Sequence, residues 1–231
     1  MSGLRVLSTL AVAGAMRGMV PRMEAAAGMP VLAEFAPTQG LMPRLRGGEA
    51  ADLVILTAEG IAELAAEGLV DPASAVDLVR SHIGIAVQAG APHPAIGTAE
   101  ALRTALLEAP CVAYSRSGAS GIAFAALIER LGIAEAVNAR ARVIPAGFTA
   151  ELAVRGEASL AVQQVSELLA VPGIELVGRL PAEVGTVAVF SAGIPHASAE
   201  PAAAARLIRF LASAEAAPVL AAAGLEPMRA G

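Results

Sequence analysis

The chain has 231 residues, enough for one large domain or two small lobes, and 56% of them are hydrophobic. The formal net charge of −5 argues against nucleic acid as a partner, and no run of about twenty residues is free of charges and helix breakers, so no membrane insertion is expected. With no Trp and one Tyr, the core must be built from Ala, Val, Leu and Ile.

Short apolar strands alternate with helical segments along the chain. Strands are predicted at residues 6–7, 31–35, 53–55, 83–87, 112–114, 142–144, 160–163, 174–177 and 186–190. Helices are predicted at residues 12–27, 41–45, 58–67, 99–108, 122–131, 149–155, 200–212 and 215–223. This alternation predicts an α/β fold with parallel sheets and helices on both faces.

Two segments resemble crossings between lobes. Residues 81–90 form an apolar strand that ends in a Pro-rich stretch, and residues 186–193 form a second such strand. We therefore predict two Rossmann-like lobes with a two-stranded hinge, lobe 1 comprising residues 1–82 and 190–231 and lobe 2 comprising residues 83–189. Ligands of open α/β sheets bind beyond the carboxyl ends of the strands, which predicts a site in the cleft between the lobes.

Three predicted strands end in a hydroxyl cluster from which a helix begins. Ser8 and Thr9 follow the first strand, Thr38 and Gln39 follow the second, and residues 115–121 follow the strand at 112–114. Backbone N–H groups and hydroxyls at a helix start bind anions. Each junction alone also fits ordinary helix capping, but the set predicts one shared pocket for a small anion.

No metal site and no cofactor is expected. The three His are scattered and Cys111 has no second Cys to join it in a metal site or an internal disulfide. Cys111 lies in an apolar strand, which favours a small buried hydrophobe over a nucleophile. The Gly-rich segment 117–121 lacks the spacing of a dinucleotide-binding fingerprint.

The beginning of the chain does not resemble a signal peptide. Arg5 is its one basic residue before the apolar stretch 6–16, which is itself interrupted by polar residues and Gly. As written, the sequence predicts a cytoplasmic protein. If this is a mature form without its leader, the prediction becomes a periplasmic one.

Several short motifs together resemble a known family. They are Ser8-Thr9-Leu10, Phe35-Ala36-Pro37-Thr38, Ala51-Asp52-Leu53-Val54-Ile55 after Gly47-Gly48, Ala119-Ser120-Gly121-Ile122, Arg155-Gly156-Glu157-Ala158 and Ser191-Ala192-Gly193-Ile194. In this order, and over essentially the whole chain, they resemble the bacterial solute-binding proteins with the type II periplasmic-binding-protein fold, especially the molybdate-binding family.

The resemblance implies ligand contacts. In that family, hydroxyls and backbone N–H groups at helix starts hold an oxyanion without counter-charges. The resemblance implies the same role for the residues of this chain that match the family's motifs. Together with neighbouring polar residues of the same junctions, the predicted ligand-binding residues are Ser8, Thr9, Thr38, Gln39, Ser117, Ser120, Thr149 and Gln164. It also implies a monomer and, for a transport protein, an ABC transporter permease as a partner.

Two departures from the family pattern favour a different ligand. Gln164 stands where molybdate binders usually have a Tyr, and Arg116 adds a fixed charge that pairs well with carboxylates. A ligand other than molybdate is therefore expected, and an organic acid would fit. The predicted function is that of an ABC-transporter-type solute-binding protein for a small anion, either an oxyanion or an organic carboxylate. Because relatives of the family include aconitate isomerase, the alternative is a cytoplasmic isomerase that moves a proton and a double bond in an unsaturated di- or tricarboxylate.

Isomerisation requires a base for an allylic C–H bond and donors for the carboxylates. The candidate donors are Arg116, Arg17 and Arg44, and the candidate proton carriers are His82, Tyr114 and Glu167. Tyr114, His82 and Arg116 are the predicted catalytic candidates. The sequence leaves open whether the chain is an enzyme or a binding protein.

Overall fold

The computed structural model describes residues 3–228, which form ten strands and eleven α-helices. The strands are β1 Leu4–Ser8, β2 Val31–Phe35, β3 Leu53–Thr57, β4 Val76–Gln88, β5 Val112–Ser115, β6 Arg142–Ile144, β7 Leu160–Gln164, β8 Ile174–Arg179, β9 Val187–Gly193 and β10 Glu226–Pro227. The helices are α1 Ala13–Arg17, α2 Val20–Ala27, α3 Thr38–Arg46, α4 Ala58–Ala66, α5 Ala99–Glu108, α6 Ala119–Arg130, α7 Ala134–Asn138, α8 Ala150–Val154, α9 Val165–Leu169, α10 Pro201–Leu211 and α11 Ala217–Ala222.

The chain divides into two compact units. Residues 3–81 and 188–228 belong to unit 1, and residues 82–187 belong to unit 2. The chain passes from unit 1 to unit 2 within β4 and returns at the start of β9.

Unit 1 contains parallel strands in the order β2-β1-β3, with β9 antiparallel to β3. Val6 of β1 lies between Ala33 of β2 and Leu53 of β3. Successive side chains of a strand point to opposite faces. Val6 accordingly packs in a core with α1, α2 and α10, whereas Leu7 packs in a second core with α3 and α4.

Unit 2 combines parallel and antiparallel strands. β5 is parallel to β6 and β7, whereas β4 is antiparallel to β7 and β8. Tyr114 of β5 packs against Phe124 of α6, with ring centroids 5.2 Å apart. In β7, Val162 belongs to the core that contains α5 and α6, and Ala161 belongs to the core that contains α8 and α9.

The predicted α/β fold class is confirmed, and the structure corrects several element boundaries. The helix predicted over 12–27 is broken between Arg17 and Val20, and Pro21 stands in the first turn of α2, where its missing N–H costs no hydrogen bond. The strand predicted at 83–87 begins at Val76. Helices α7 and α9, of five residues each, and the two-residue strand β10 were not predicted.

Within residues 3–228, none of the helices has both the length and the apolar character needed to cross a bilayer. The same residues contain no group of three or more His, Cys, Asp or Glu side chains that could hold a metal ion.

Candidate functional site

The carboxyl ends of β1, β2 and β3 carry hydroxyl side chains at one edge of the unit 1 sheet. Ser8 ends β1, Thr38 begins the helix after β2, and Thr57 ends β3. The backbone N–H of Thr9 donates to the carbonyl of Ile55 at 2.8 Å, which fixes the turn after β1 beside β3. The topology of unit 1 therefore brings the first two predicted junctions together.

Three of these hydroxyls accept a hydrogen bond from the backbone. Thr9 Oγ1 accepts from Ala11 N at 3.5 Å, Thr38 Oγ1 accepts from Thr57 N at 3.2 Å, and Thr57 Oγ1 accepts from Gly60 N at 3.2 Å. Within the described part of the chain, none of the three donates its own proton to a protein atom. A hydroxyl is a donor as well as an acceptor, so this edge presents O–H donors of the kind an anion requires.

The other two predicted contacts of unit 1 differ. Ser8 is fully buried, and its hydroxyl donates to the carbonyl of Thr9 at 3.1 Å. Its proton is therefore already engaged. Gln39 is exposed in the first turn of α3.

In unit 2, β5 leads into α6 through a serine-rich turn. Gly118 precedes α6 and provides no side-chain cap, so the first N–H groups of the helix lack the partner that a capping side chain would supply. Ser115 and Ser120 are buried beside this turn, and Ser115 Oγ has no hydrogen-bond partner among the described residues. The hydroxyl of Ser117 donates to the carbonyl of Pro145 at 2.6 Å.

Two glycines allow α6 to begin this close to β5. A Cβ atom at Gly121 would lie 1.7 Å from the carbonyl oxygen of Ser115, and one at Gly118 would lie 2.5 Å from Ser115 Oγ. Real Cβ atoms essentially never make contacts this short. The glycines therefore let the first turn of the helix contact the end of the strand, with the Ser115 hydroxyl beside it.

Arg116 adds positive charge to the same turn. Its backbone N–H donates to the carbonyl of Ile144 at 2.8 Å, and its side chain is exposed. Among residues 3–228, no carboxylate lies within ion-pair distance of its guanidinium. A helix N-terminus also carries partial positive charge, so the two features favour an anion at this place.

A second polar cluster of unit 2 lies around the end of β7. The backbone N–H and the hydroxyl of Thr149 both donate to Gln163 Oε1, at 2.8 and 3.0 Å, and Gln163 Nε2 donates to the carbonyl of Gly147 at 2.9 Å. The Thr149 proton is thus engaged inside the unit. Gln164 is buried, and it forms a capping box with Glu167 at the start of α9.

Glu167 adjoins this cluster in the first turn of α9. Its Oε2 atom accepts a hydrogen bond from the backbone N–H of Gln164 at 3.3 Å. Burial raises the pKa of Glu167 from 4.5 to about 8, although the Gln164 backbone and the Gln163 side chain act in the opposite direction. The carboxyl group is therefore mostly protonated at neutral pH.

The predicted catalytic candidates occupy different surroundings. Tyr114 packs in the core of unit 2, its hydroxyl donates to Asn138 Oδ1 at 2.7 Å, and burial raises its pKa. His82 lies half-buried on β4. Arg116 is exposed at the start of α6, as described above.

The other candidate donors, Arg17 and Arg44, lie in unit 1. The Arg17 guanidinium lies 5.2 Å from the centre of the Phe35 ring. Arg44 pairs with Glu34 and Glu49, each at 2.6 Å, and these bonds raise its pKa. Arg44 thus already has carboxylate partners within unit 1.

The predicted ligand-binding set omits Thr57, Ser115 and Gln163, although Ser115 lies in the predicted hydroxyl cluster 115–121. Thr57 was detectable, because it follows the apolar run Leu53–Leu56 and precedes a helix in the same pattern as the other junctions. Ser115 stands at the end of its strand in the same way. The role of Gln163 depends on a contact with Thr149, fourteen positions away, which no local pattern shows.

Comparison with known proteins places this architecture in a family. The profile of the family described as bacterial extracellular solute-binding protein matches residues 4–226. The aconitate isomerase of a Pseudomonas species is 37% identical to this chain, and the alignment covers 98% of the chain and 88% of the isomerase.

Solved structures show the same fold at low identity. The periplasmic molybdate-binding protein of Azotobacter vinelandii has a TM-score of 0.80 at 16% identity, covering 96% of this chain and 98% of that protein. The sulfate-binding protein SubI of Mycobacterium tuberculosis has a TM-score of 0.77 at 18% identity, covering 99% and 88%. The chain therefore belongs to the family of bacterial extracellular solute-binding proteins and has the type II periplasmic-binding-protein fold.

Proposed function

We propose that this chain binds a small unsaturated polycarboxylate and isomerises it by moving an allylic proton. The observation that carries the proposal is the 37% identity to an aconitate isomerase over nearly the whole chain. The molybdate- and sulfate-binding structures are only 16–18% identical, which supports a shared fold and says nothing about a shared ligand.

The polar clusters supply what an anion needs. In unit 1, the hydroxyls of Thr9, Thr38 and Thr57 keep their protons available to a ligand. In unit 2, the uncapped start of α6 and the buried hydroxyl of Ser115 offer further hydrogen-bond donors. Hydrogen bonds to a charged group contribute about 1.5–3 kcal/mol each, so a few of them are enough for specific binding.

Arg116 and Gln164 support an organic carboxylate as the ligand. The exposed guanidinium of Arg116 can form two parallel hydrogen bonds to a carboxylate, a geometry for which its planar shape is suited. Gln164 adds an amide that can both donate and accept. A ligand with several carboxyl groups and a further polar or protonated group could bind both Arg116 and Gln164.

Isomerisation would use the same donors in a second way. Removal of an allylic proton spreads negative charge from the carbon atom into the adjacent carboxylate. Fixed N–H and O–H donors stabilise such developing charge without having to reorient, which lowers the barrier. The N–H and O–H groups of the polar clusters could supply such donors, and the reaction would require a proton carrier in addition.

The alternative is a solute-binding protein without turnover. It rests on the family as a whole, and it would make an ABC transporter permease the partner. The permease, the cytoplasmic or periplasmic location and the monomeric state stay predictions.

Proton NMR in D₂O with cis- and trans-aconitate tests the proposal. We expect deuterium to enter the substrate and the other isomer to form. Thermal unfolding with the same acids, sulfate and molybdate provides a parallel measurement of binding, because a ligand at a hundredfold its Kd adds about 2.7 kcal/mol of stability. Stabilisation without exchange or isomer formation would refute the isomerase and favour the binding protein.

Hydroxyl removal tests the contacts. Thr9→Ala and Thr38→Ala should each weaken binding by about 1.5–3 kcal/mol. Thr98→Ala is the matched control, because Thr98 caps α5 by accepting from Ala101 N at 3.1 Å and has no proposed role in binding. Unchanged affinity in both Thr9 and Thr38 variants would refute the assignment of these hydroxyls to the ligand.

A further inference from the structure

The side chain of Gln163 is buried at the end of β7 and uses both ends of its amide group. The residue is only 2% exposed. Its Oε1 atom accepts from the backbone N–H of Thr149 at 2.8 Å and from the Thr149 hydroxyl at 3.0 Å, and its Nε2 atom donates to the carbonyl of Gly147 at 2.9 Å. Breaking any of these bonds would leave a buried polar atom unsatisfied, which is costly. Gln163 therefore holds the segment of residues 145–149, which joins β6 to α8.

The 145–149 segment and the end of β6 in turn support the α6 turn, residues 116–118, which joins β5 to α6. The hydroxyl of Ser117 donates to the carbonyl of Pro145 at 2.6 Å, and the backbone N–H of Arg116 donates to the carbonyl of Ile144 at 2.8 Å. β5 is parallel to β6 and to β7, so the carboxyl ends of the three strands lie at the same edge of the unit 2 sheet. The α6 turn is thus attached to the segment that the buried amide holds.

The 145–149 segment has little regular structure of its own. It belongs to no helix or strand, and Pro145 and Ala146 are exposed. Gly147 has a φ angle of 98°, in the left-handed region that favours glycine. Segments with few buried contacts open more easily than the helices and strands of a core. The bonds from Gln163 therefore have a large share in fixing the shape of this segment.

We propose, on the basis of the function proposed above, that Gln163 is a positioning residue that sets the α6 turn relative to Gln164. Gln164 follows Gln163 directly in β7, so one buried side chain determines the place of both predicted carboxylate contacts of unit 2, Arg116 and Gln164. The carboxyl groups of a polycarboxylate are held at set separations by a short carbon skeleton, and its partners must match these separations. A misplacement of about 1 Å can cost about 10²-fold in a reaction rate.

The opposite role for Gln163 would be competition with the ligand. The family resemblance assigns Thr149 to the ligand, and both donors of Thr149 are bonded to Gln163 Oε1. If the ligand displaced this oxygen atom, removal of the amide would strengthen binding. Thr149 is fully buried, and its hydroxyl also lies 3.3 Å from the carbonyl of Val162, which favours a structural partner over a ligand. The two roles predict opposite changes in affinity.

Gln163→Met tests the positioning role. Met has a similar length and shape but neither donates nor accepts as an amide does. We expect the Kd for trans-aconitate, measured by calorimetric titration well below the unfolding midpoint of the variant, to rise by about 10-fold or more. Gln88→Met is the matched control and should leave this Kd unchanged. Gln88 is an exposed glutamine of the same unit, and its Nε2 atom donates to the carbonyl of Val154 at 3.1 Å.

Two further variants separate positioning from a loss of folding. Gln163→Asn keeps an amide in the buried site but is one CH₂ group too short to bond both partners as Gln163 does. It should raise the Kd in the same direction, and it provides the test if Gln163→Met does not fold. Thr149→Val should raise the Kd in the unmodified protein but add little in a Gln163→Asn background, because both changes break the same contact.

Three results would overturn the positioning role of Gln163. An unchanged Kd in both Gln163 variants would show that the amide only stabilises the fold, and a lower Kd would show that it competes with the ligand. Additive losses in the Gln163→Asn, Thr149→Val double variant would show that Thr149 acts on the ligand independently. Binding of trans-aconitate without isomerisation would refute the isomerase alone, because the Kd comparison needs no turnover. If the unmodified protein does not bind trans-aconitate, the proposed function and the positioning role are both wrong.

Discussion

Replacing Glu167 by Gln should change how the stability of the protein depends on pH. Burial raises the pKa of Glu167 from 4.5 to about 8 in the folded protein, whereas the unfolded chain has the ordinary value. Between these two values the folded state holds a proton that the unfolded state has lost. The free energy of unfolding must therefore fall as the pH rises through this window.

The magnitude follows from the pKa difference. Each unit corresponds to about 1.36 kcal/mol, so the stabilising contribution of the protonated group should decrease by about 4 kcal/mol between about pH 5 and about pH 9. The contribution is complete below the unfolded value of 4.5 and is lost above the folded value of about 8. Gln carries no ionisable proton, so the Glu167→Gln variant lacks this dependence.

Urea unfolding of both proteins across this pH range measures the effect. We expect the unmodified protein to lose stability relative to Glu167→Gln as the pH rises. Glu157→Gln serves as the control: Arg155 lowers the pKa of Glu157, so that this group is ionised in both states and its difference curve is flat in the same range. A flat curve for Glu167→Gln would show that Glu167 is ionised in the folded protein and would refute the reasoning.

Other substitutions test the packing and the hydrogen bonds. Gly121→Ala should lower the free energy of unfolding by about 3 kcal/mol or more, because the added Cβ atom would overlap the Ser115 carbonyl. Gly40 is the third residue of α3, as Gly121 is of α6, but a Cβ atom at Gly40 would lie in open space. Gly40→Ala should therefore raise the free energy of unfolding by about 0.5–1 kcal/mol. Asp52→Asn should cost about 1.5–3 kcal/mol in urea unfolding, since a charged acceptor of several bonds becomes neutral. Tyr114→Phe should lose about 1 kcal/mol of stability and leave turnover unchanged; a loss of turnover would return Tyr114 to the catalytic candidates.

The elements that were predictable are those whose signals are local. The helix predicted over 99–108 has these bounds in the structure, because Thr98 caps its start and Pro110 follows its end. The strands were visible as apolar runs, since a strand buried on both faces shows little alternation. The fold class follows from the order of these segments.

The interior of the clusters was less predictable because it depends on long-range contacts. The segment 117–121 shows two glycines, but only the position of the Ser115 carbonyl reveals that Gly121 has no room for a Cβ atom. The engagement of Thr149 by Gln163 and the burial of Glu167 likewise depend on how β7 packs. The sequence identified the residue types, and the structure identified which of their polar atoms already have partners.

This distinction separates residues that looked alike in the sequence. Thr9 and Thr149 both stand at helix starts, yet Thr9 accepts from the backbone and keeps its proton, whereas Thr149 has donated its proton to Gln163. An anion can only accept hydrogen bonds, so Thr9 can bind it directly and Thr149 is better suited to holding Gln163 in place.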